Sequence, residues 1–118
     1  MQRTMLKSKI HLATLTGLKL DYEGSIAIDE DLLDMADMLP GEQCHVLNAN
    51  NGTRLVTYVI PAERGSRTFM LNGPAARLGV PGDKVVIITY ASMNEAELAA
   101  YAPRVLLMDE NNDPRKKV

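Results

Sequence analysis

Polar and apolar residues alternate through Lys9-Ile10-His11-Leu12, and this period of two predicts a half-buried strand over Lys9 to Thr16 whose polar face carries Lys9 and His11. Ser25 to Ile28 reads as a second short strand. Asp29 then stands as a helix N-cap before Glu30 to Ala36, where acidic residues crowd the positive first turn, and Pro40-Gly41 is the expected stop. Asn50-Asn51-Gly52 separates two β-prone runs, Cys44 to Leu47 and Arg54 to Ile60. Asn and Gly tolerate the positive φ of a tight turn, so residues 43 to 60 are predicted to form a hairpin. On its second strand Arg54 precedes Tyr58 by four residues and shares its face.

Glu63 to Ser66 reads as a turn into a strand over Arg67 to Leu71. Asn72-Gly73-Pro74 and Pro81-Gly82-Asp83 punctuate a loop-rich stretch before the most β-prone run of all, Lys84 to Tyr90. Asn94 is the predicted cap of a short helix reaching Ala100, and a brief strand over Arg104 to Met108 follows Pro103. The charged tail over 109–118 is expected to be flexible and frayed. Short strands at turn-separated spacing, with two small helices inserted, predict a mainly β chain closed as a compact barrel rather than a helix bundle or a βαβ sheet.

At 118 residues the chain is the size of a single domain, 1–118. Its composition, 46% hydrophobic and 24% charged, is that of a folded chain and excludes wholesale disorder. Thirteen basic and fifteen acidic side chains leave a formal charge of -2, which gives little pull on a phosphate backbone, so no nucleic-acid partner is expected. No run approaches the apolar length of a membrane span, and the first residues lead into no leader-like segment; the expected setting is cytoplasmic, with no membrane partner. The lone Cys44, with only His11 and His45 beside it, has no zinc-ligand spacing, and no metal is expected.

The familiar enzyme motifs are missing: no G-x-G-x-x-G, no phosphate loop, no G-x-S-x-G elbow and no H-E-x-x-H. As bare dipeptides Gly24-Ser25 and Gly65-Ser66 look like ordinary turns. Their context is distinctive. Arg3-Thr4-Met5-Leu6, Lys9 and His11, Tyr22-Glu23-Gly24-Ser25, Asn51-Gly52, Arg54, Thr57-Tyr58, Ala62-Glu63-Arg64-Gly65-Ser66-Arg67 and Asn72-Gly73, in this order and spacing, closely resemble the pyruvoyl-dependent aspartate decarboxylase family over nearly the whole chain.

That resemblance implies a precursor that cuts itself between Gly24 and Ser25, giving chains 1–24 and 25–118 and a pyruvoyl group made from Ser25. The residue types suit the chemistry. Glycine leaves its carbonyl open to attack, and the serine hydroxyl is a nucleophile that afterwards departs as a carboxylate by β-elimination. The dehydroalanine left behind is then hydrolysed by water, which releases ammonia and leaves the ketone. The resemblance further implies decarboxylation of L-aspartate to β-alanine and CO2, which feeds pantothenate and coenzyme A synthesis. Tyr58 matches the family's proton donor, and Thr57 a substrate-binding and self-processing residue. Lys9 and Arg54 match contacts to substrate carboxylates, a role that the planar Arg fork suits. Gly73-Pro74-Ala75 matches the substrate-contacting loop, and His11 and Asn72 are further candidates. Adjacent strand residues point to opposite faces, so a bulge or a strand rim must bring Thr57 and Tyr58 to one site. The implied fold is a six-stranded double-psi β-barrel with short helices. The implied assembly is a homotetramer with active sites between subunits, matured in some members with a helper protein. The alternative reading is a small β-barrel acting as a non-catalytic binding or adaptor module, in which Gly24-Ser25 is simply a loop.

Overall fold

The first strand, β1 (Arg3–Thr14), is longer than the alternating run that announces it, because it pairs antiparallel with β7 (Lys84–Met93) from Arg3 opposite Met93 to Thr14 opposite Lys84. A register shift between Ile10 and Ala13 puts Leu12 at φ 61 and leaves it 37% exposed, while Ile10 and Ala13 are both buried. The alternation therefore stops just after His11. The computed structural model describes residues 1–117.

The remaining elements are β2 (Gly17–Lys19), β3 (Ser25–Asp29), α1 (Glu30–Ala36), β4 (Gln43–Asn48), β5 (Arg54–Ala62), β6 (Phe69–Asn72), a 3-10 helix (Gly73–Leu78), α2 (Glu95–Ala99), β8 (Arg104–Met108) and β9 (Pro114–Lys117). The chain is mainly β, and the predicted hairpin is present as β4 and β5. The strand order is β2-β6-β3-β5-β4-β7-β1-β8-β9, nine strands among the described residues instead of six. The surplus lies at the ends of that order: β2 adds to β6 at one edge, and β8 and β9 extend the other beyond β1. After β8, Asp109 Oδ1 accepts from the backbone of Asn111 and Asp113, and this turn returns Pro114–Lys117 to pair with β8; Val118, the end of the tail expected to fray, lies outside the described residues.

Helix α1 ends sooner than Pro40-Gly41 suggests. Asp37 adopts the left-handed conformation, φ 57, and its N–H caps the last turn. The loop-rich stretch after Asn72 is partly the 3-10 helix, with Pro74 in its first turn. Strand β3 shows no alternation because it is buried along its whole length, between β5 (parallel) and β6 (antiparallel). Its Ile26 and Ile28 join Val59, Phe69, Leu71 and Ile87 in a single core. No helix among the described residues is long and apolar enough to cross a membrane.

Asp29, at the far end of β3, ties this region together. Its buried carboxylate accepts from the N–H of Asp31 at 2.9 Å, Gly65 at 3.0 Å and Arg67 at 2.7 Å, and the Arg67 guanidinium lies at 3.4 Å. Burial opposes ionisation, but the three backbone donors and the Arg67 charge outweigh it and hold the carboxyl below its ordinary range. The carboxylate therefore stabilises the fold above the ordinary Asp range, and that contribution is lost as pH falls through the depressed folded value. Asp29→Asn, which aims an amide at N–H donors, should lower unfolding free energy by about 2–4 kcal/mol. Urea denaturation at neutral pH reads this loss, and the gap between variant and wild type should narrow as the solution is made strongly acid.

Candidate active site

Ser25 opens β3 and stands opposite Asn72, the last residue of β6. Both are buried, at 0% and 1% exposure, and cross-strand pairing at this spacing brings their side chains together. Ser25 Oγ donates to the Glu23 carbonyl at 3.0 Å and accepts from Asn72 Nδ2 at 3.1 Å. The hydroxyl is thus folded back over the peptide that joins Gly24 to Ser25. Asn72 Oδ1 is buried and has no hydrogen-bond partner, an orphaned acceptor beside the serine.

Gly73 explains how the chain comes so close. It has φ +64, and a Cβ there would lie 2.5 Å from the Tyr22 carbonyl oxygen and 2.8 Å from Gly24 Cα and N. Only glycine allows the Gly73-Pro74 turn to pack on the segment before Ser25.

A pocket of about 450 Å3 opens beside this pair, lined by Gly24, Thr57, Tyr58, Pro74 and Ala75 with Leu55, Val56 and Leu78. Thr57 and Tyr58 reach it together at a strand rim, not at a bulge. Arg54 to Tyr58 pairs regularly with β4, and parallel pairing with β3 begins only at Val59 opposite Ile26. One residue earlier in that register Ser25 lies alongside Tyr58, where β3 has just begun and its side of β5 is open. The Tyr58 phenol is held above its ordinary range, first by hydrogen bonding to the Glu23 carboxylate, then by burial and by the nearby negative charge. It stays protonated through neutral pH.

Lys9, His11 and Arg54 lie outside this pocket. Lys9 and His11 are on β1, separated from β5 by β4 and β7 in the sheet order. His11 has a buried Nδ1 without a partner, and burial followed by the charge of Lys9 keeps its proton affinity below the ordinary imidazole range. Arg54 is exposed at the start of β5 and lines a second cavity of about 360 Å3 with Leu47 and Val86. Its Nη1 is 3.1 Å from His45 Nδ1. Sequence reasoning gave no role to Glu23, His45 or the apolar wall of Leu55, Val56 and Leu78. The hairpin register held the signal for His45: Arg54 stands opposite Leu47, so His45 is its diagonal neighbour.

The aspartate decarboxylase family model matches residues 1–115. The chain is 55% identical over 116 residues to the aspartate 1-decarboxylase of Desulfitobacterium hafniense (strain DSM 10664 / DCB-2), covering 98% of this chain and 91% of that protein. It is 53% identical over 116 residues to the aspartate 1-decarboxylase of Salinibacter ruber, covering 98% and 80%. Against that of Leptospira biflexa serovar Patoc (strain Patoc 1 / Ames) it is 55% identical over 114 residues, covering 96% and 97%. With a buried serine paired to asparagine beside a pocket that holds Thr57 and Tyr58, and with similarity that runs almost end to end, the chain belongs to the aspartate decarboxylase family.

Proposed function

We propose that the chain cuts itself between Gly24 and Ser25, carries a pyruvoyl group derived from Ser25, and decarboxylates L-aspartate to β-alanine and CO2, the product serving pantothenate synthesis. The observation that carries this reading is the buried Ser25-Asn72 pair, joined in the chain to Gly24 and Gly73, which pack on each other, with Gly24 lining the pocket that also holds Tyr58. An adaptor module has no use for a buried serine hydroxyl held against the preceding peptide.

Self-processing draws on this chain's own groups. Attack by Ser25 Oγ on the Gly24 carbonyl carbon converts the peptide into an ester and moves the developing negative charge onto the carbonyl oxygen. Thr57 lines the pocket together with Gly24, and its hydroxyl is the donor this reading assigns to that oxygen. Asn72 Nδ2 holds the serine oxygen in place. The site residues also fit the finished group: Asn72 offers a donor and a buried unpartnered acceptor, Gly73 leaves room where any Cβ would collide, and Thr57 and Tyr58 close the other side. When in place, a pyruvoyl group would supply a ketone to capture the substrate amine and a sink for the electrons of the departing carboxylate. Tyr58 holds a proton at Oη for the carbon that has lost CO2. Leu55, Pro74, Ala75 and Leu78 give that exchange an apolar wall. The pocket volume suits a small amino acid.

The carboxylate contacts come from a second copy of the chain. Lys9 and Arg54, with His11 beside them, lie away from the pocket of their own subunit, and the rim is apolar and exposed, Val56 at 53% and Leu78 at 36%. A homotetramer that sets the pocket of one subunit against the Arg54 face of another supplies both halves of the site. The six central strands, β6-β3-β5-β4-β7-β1, with the parallel pairing of β3 and β5 among antiparallel neighbours, support closure as a double-psi β-barrel.

The purified protein should release β-alanine from L-aspartate and lose that activity on treatment with hydrazine, which captures a ketone. Activity that survives hydrazine removes the pyruvoyl reading. Arg54→Lys should lower kcat/KM for aspartate about 10- to 100-fold, since a point-charge ammonium replaces a bidentate fork. Steady-state kinetics on fully cleaved protein makes the check, and unchanged kcat/KM would show Arg54 to be a solvated surface charge.

A further inference from the structure

We propose that His45 is a positioning residue for Arg54 and that its protonation weakens substrate binding. The proposal rests on the reading above that Arg54 holds a substrate carboxylate. Arg54 is exposed and carries the rotamer freedom of a long side chain, yet its Nη1 lies 3.1 Å from His45 Nδ1. A guanidinium only donates, so Nδ1 must present its lone pair, which fixes the ring as the neutral tautomer with its proton on Nε2. The ring is itself oriented by Tyr90, edge to face at 5.1 Å between centroids and 73° between planes. One Nη1 contact leaves the rest of the guanidinium fork free for a carboxylate.

Directly paired strand residues share a face, which identifies what surrounds the imidazole. On β5 its opposite residue is Val56, with Arg54 diagonal to it; on β7 its opposite residue is Ile88, with Tyr90 diagonal to it. Beyond Ile88, across β7, stands Lys9 of β1. On its own strand the flanking residues of that face are Gln43 and Leu47. Tyr58, opposite Gln43, is the other diagonal neighbour on β5, so the titratable and charged groups among these positions are Arg54, Tyr58, Tyr90 and Lys9, and none is a carboxylate. A proton added to His45 removes the acceptor, places a second N–H against Nη1 and adds positive charge to a face that already carries Lys9 and Arg54. Arg54 is then released to roam, and ordering it again falls on the substrate at a penalty worth about 3- to 10-fold in affinity.

The test uses fully cleaved, pyruvoylated wild-type enzyme with His45→Gln, His45→Leu and Arg54→Ala. Steady-state kinetics for L-aspartate run from about pH 5.5 to about pH 8.5, across the range in which imidazoles change charge. The His45 ring protons are followed by NMR in the same buffers; with only two histidines in the chain, the variant identifies the signal. KM for aspartate in the wild type should rise about 3- to 10-fold on the acid side, in step with the His45 signal. Gln keeps an oxygen acceptor but does not titrate, so His45→Gln should match the wild type within about twofold in alkaline buffer and lose the His45-linked rise. His45→Leu should raise KM across the whole range with a smaller change in kcat. An acid-side rise that persists unchanged in His45→Gln, or that is missing from the wild type, overturns the proposal. Impaired Arg54→Ala beside wild-type behaviour in both His45 variants removes His45 and leaves the role of Arg54 standing. Unimpaired Arg54→Ala removes that role and the proposal with it.

Discussion

Ser25→Ala is expected to give a folded, soluble, uncut chain that makes no β-alanine. The hydroxyl is the nucleophile assigned to the Gly24-Ser25 peptide, and a methyl group can neither attack the Gly24 carbonyl nor leave by elimination. The change also removes the acceptor of Asn72 Nδ2 inside a buried site. That should lower stability by about 1–3 kcal/mol, well within the ~5–15 kcal/mol that holds an ordinary domain together. Thermal unfolding therefore shows a cooperative transition somewhat below wild type, a denaturing gel shows one band, and aspartate turnover is lost. A fragment ending at Gly24, or β-alanine formed from this variant, would move the origin of the cofactor elsewhere.

Tyr58→Phe separates maturation from turnover. The phenol is not needed to open the Gly24-Ser25 peptide, so this variant should cleave and carry a ketone that reacts with hydrazine. It should lose about 10²- to 10⁴-fold in kcat, the range expected when a positioned proton donor is removed. The Glu23 carboxylate keeps the Tyr58 proton in place beyond the ordinary phenol range, so in the wild type Tyr58 itself should not impose a fall in activity at mildly alkaline pH. Turnover like that of wild type in Tyr58→Phe would transfer proton delivery to another group.

The hairpin, the Asp29 cap and the β8 strand were readable in the sequence because each depends on local chemistry: a turn formed by Asn and Gly, a carboxylate over a helix N-terminus, a Pro before an extended run. Strand β3 was readable as the β-prone run Ser25 to Ile28, whereas its burial on both faces, which removes any alternation, shows only once its partners β5 and β6 are in place. β2 and β9 are three and four residues long and owe their form to pairing with β6 and β8, partners far away in the chain. Of the site, Ser25, Thr57, Tyr58, Gly73 and Asn72 became candidates by resemblance, and the fold places them together because β3, β5 and β6 are neighbours in the sheet. Spacing says nothing of that adjacency. Lys9 and Arg54 do not line the pocket of their own chain, and neither spacing nor alternation indicates that separation. His45 was passed over because diagonal pairing becomes visible only once the hairpin register is fixed.

Denaturing mass spectrometry of the intact purified protein tests the central claim most directly. Two chains should appear, residues 1–24 ending in a free Gly24 carboxylate and residues 25–118 lighter than the simple hydrolysis product by the mass of one ammonia, the signature of serine converted to pyruvoyl. A single chain of residues 1–118 that stays uncut on prolonged incubation, alone and in a lysate of cells that make the protein, would contradict the account and favour a binding module.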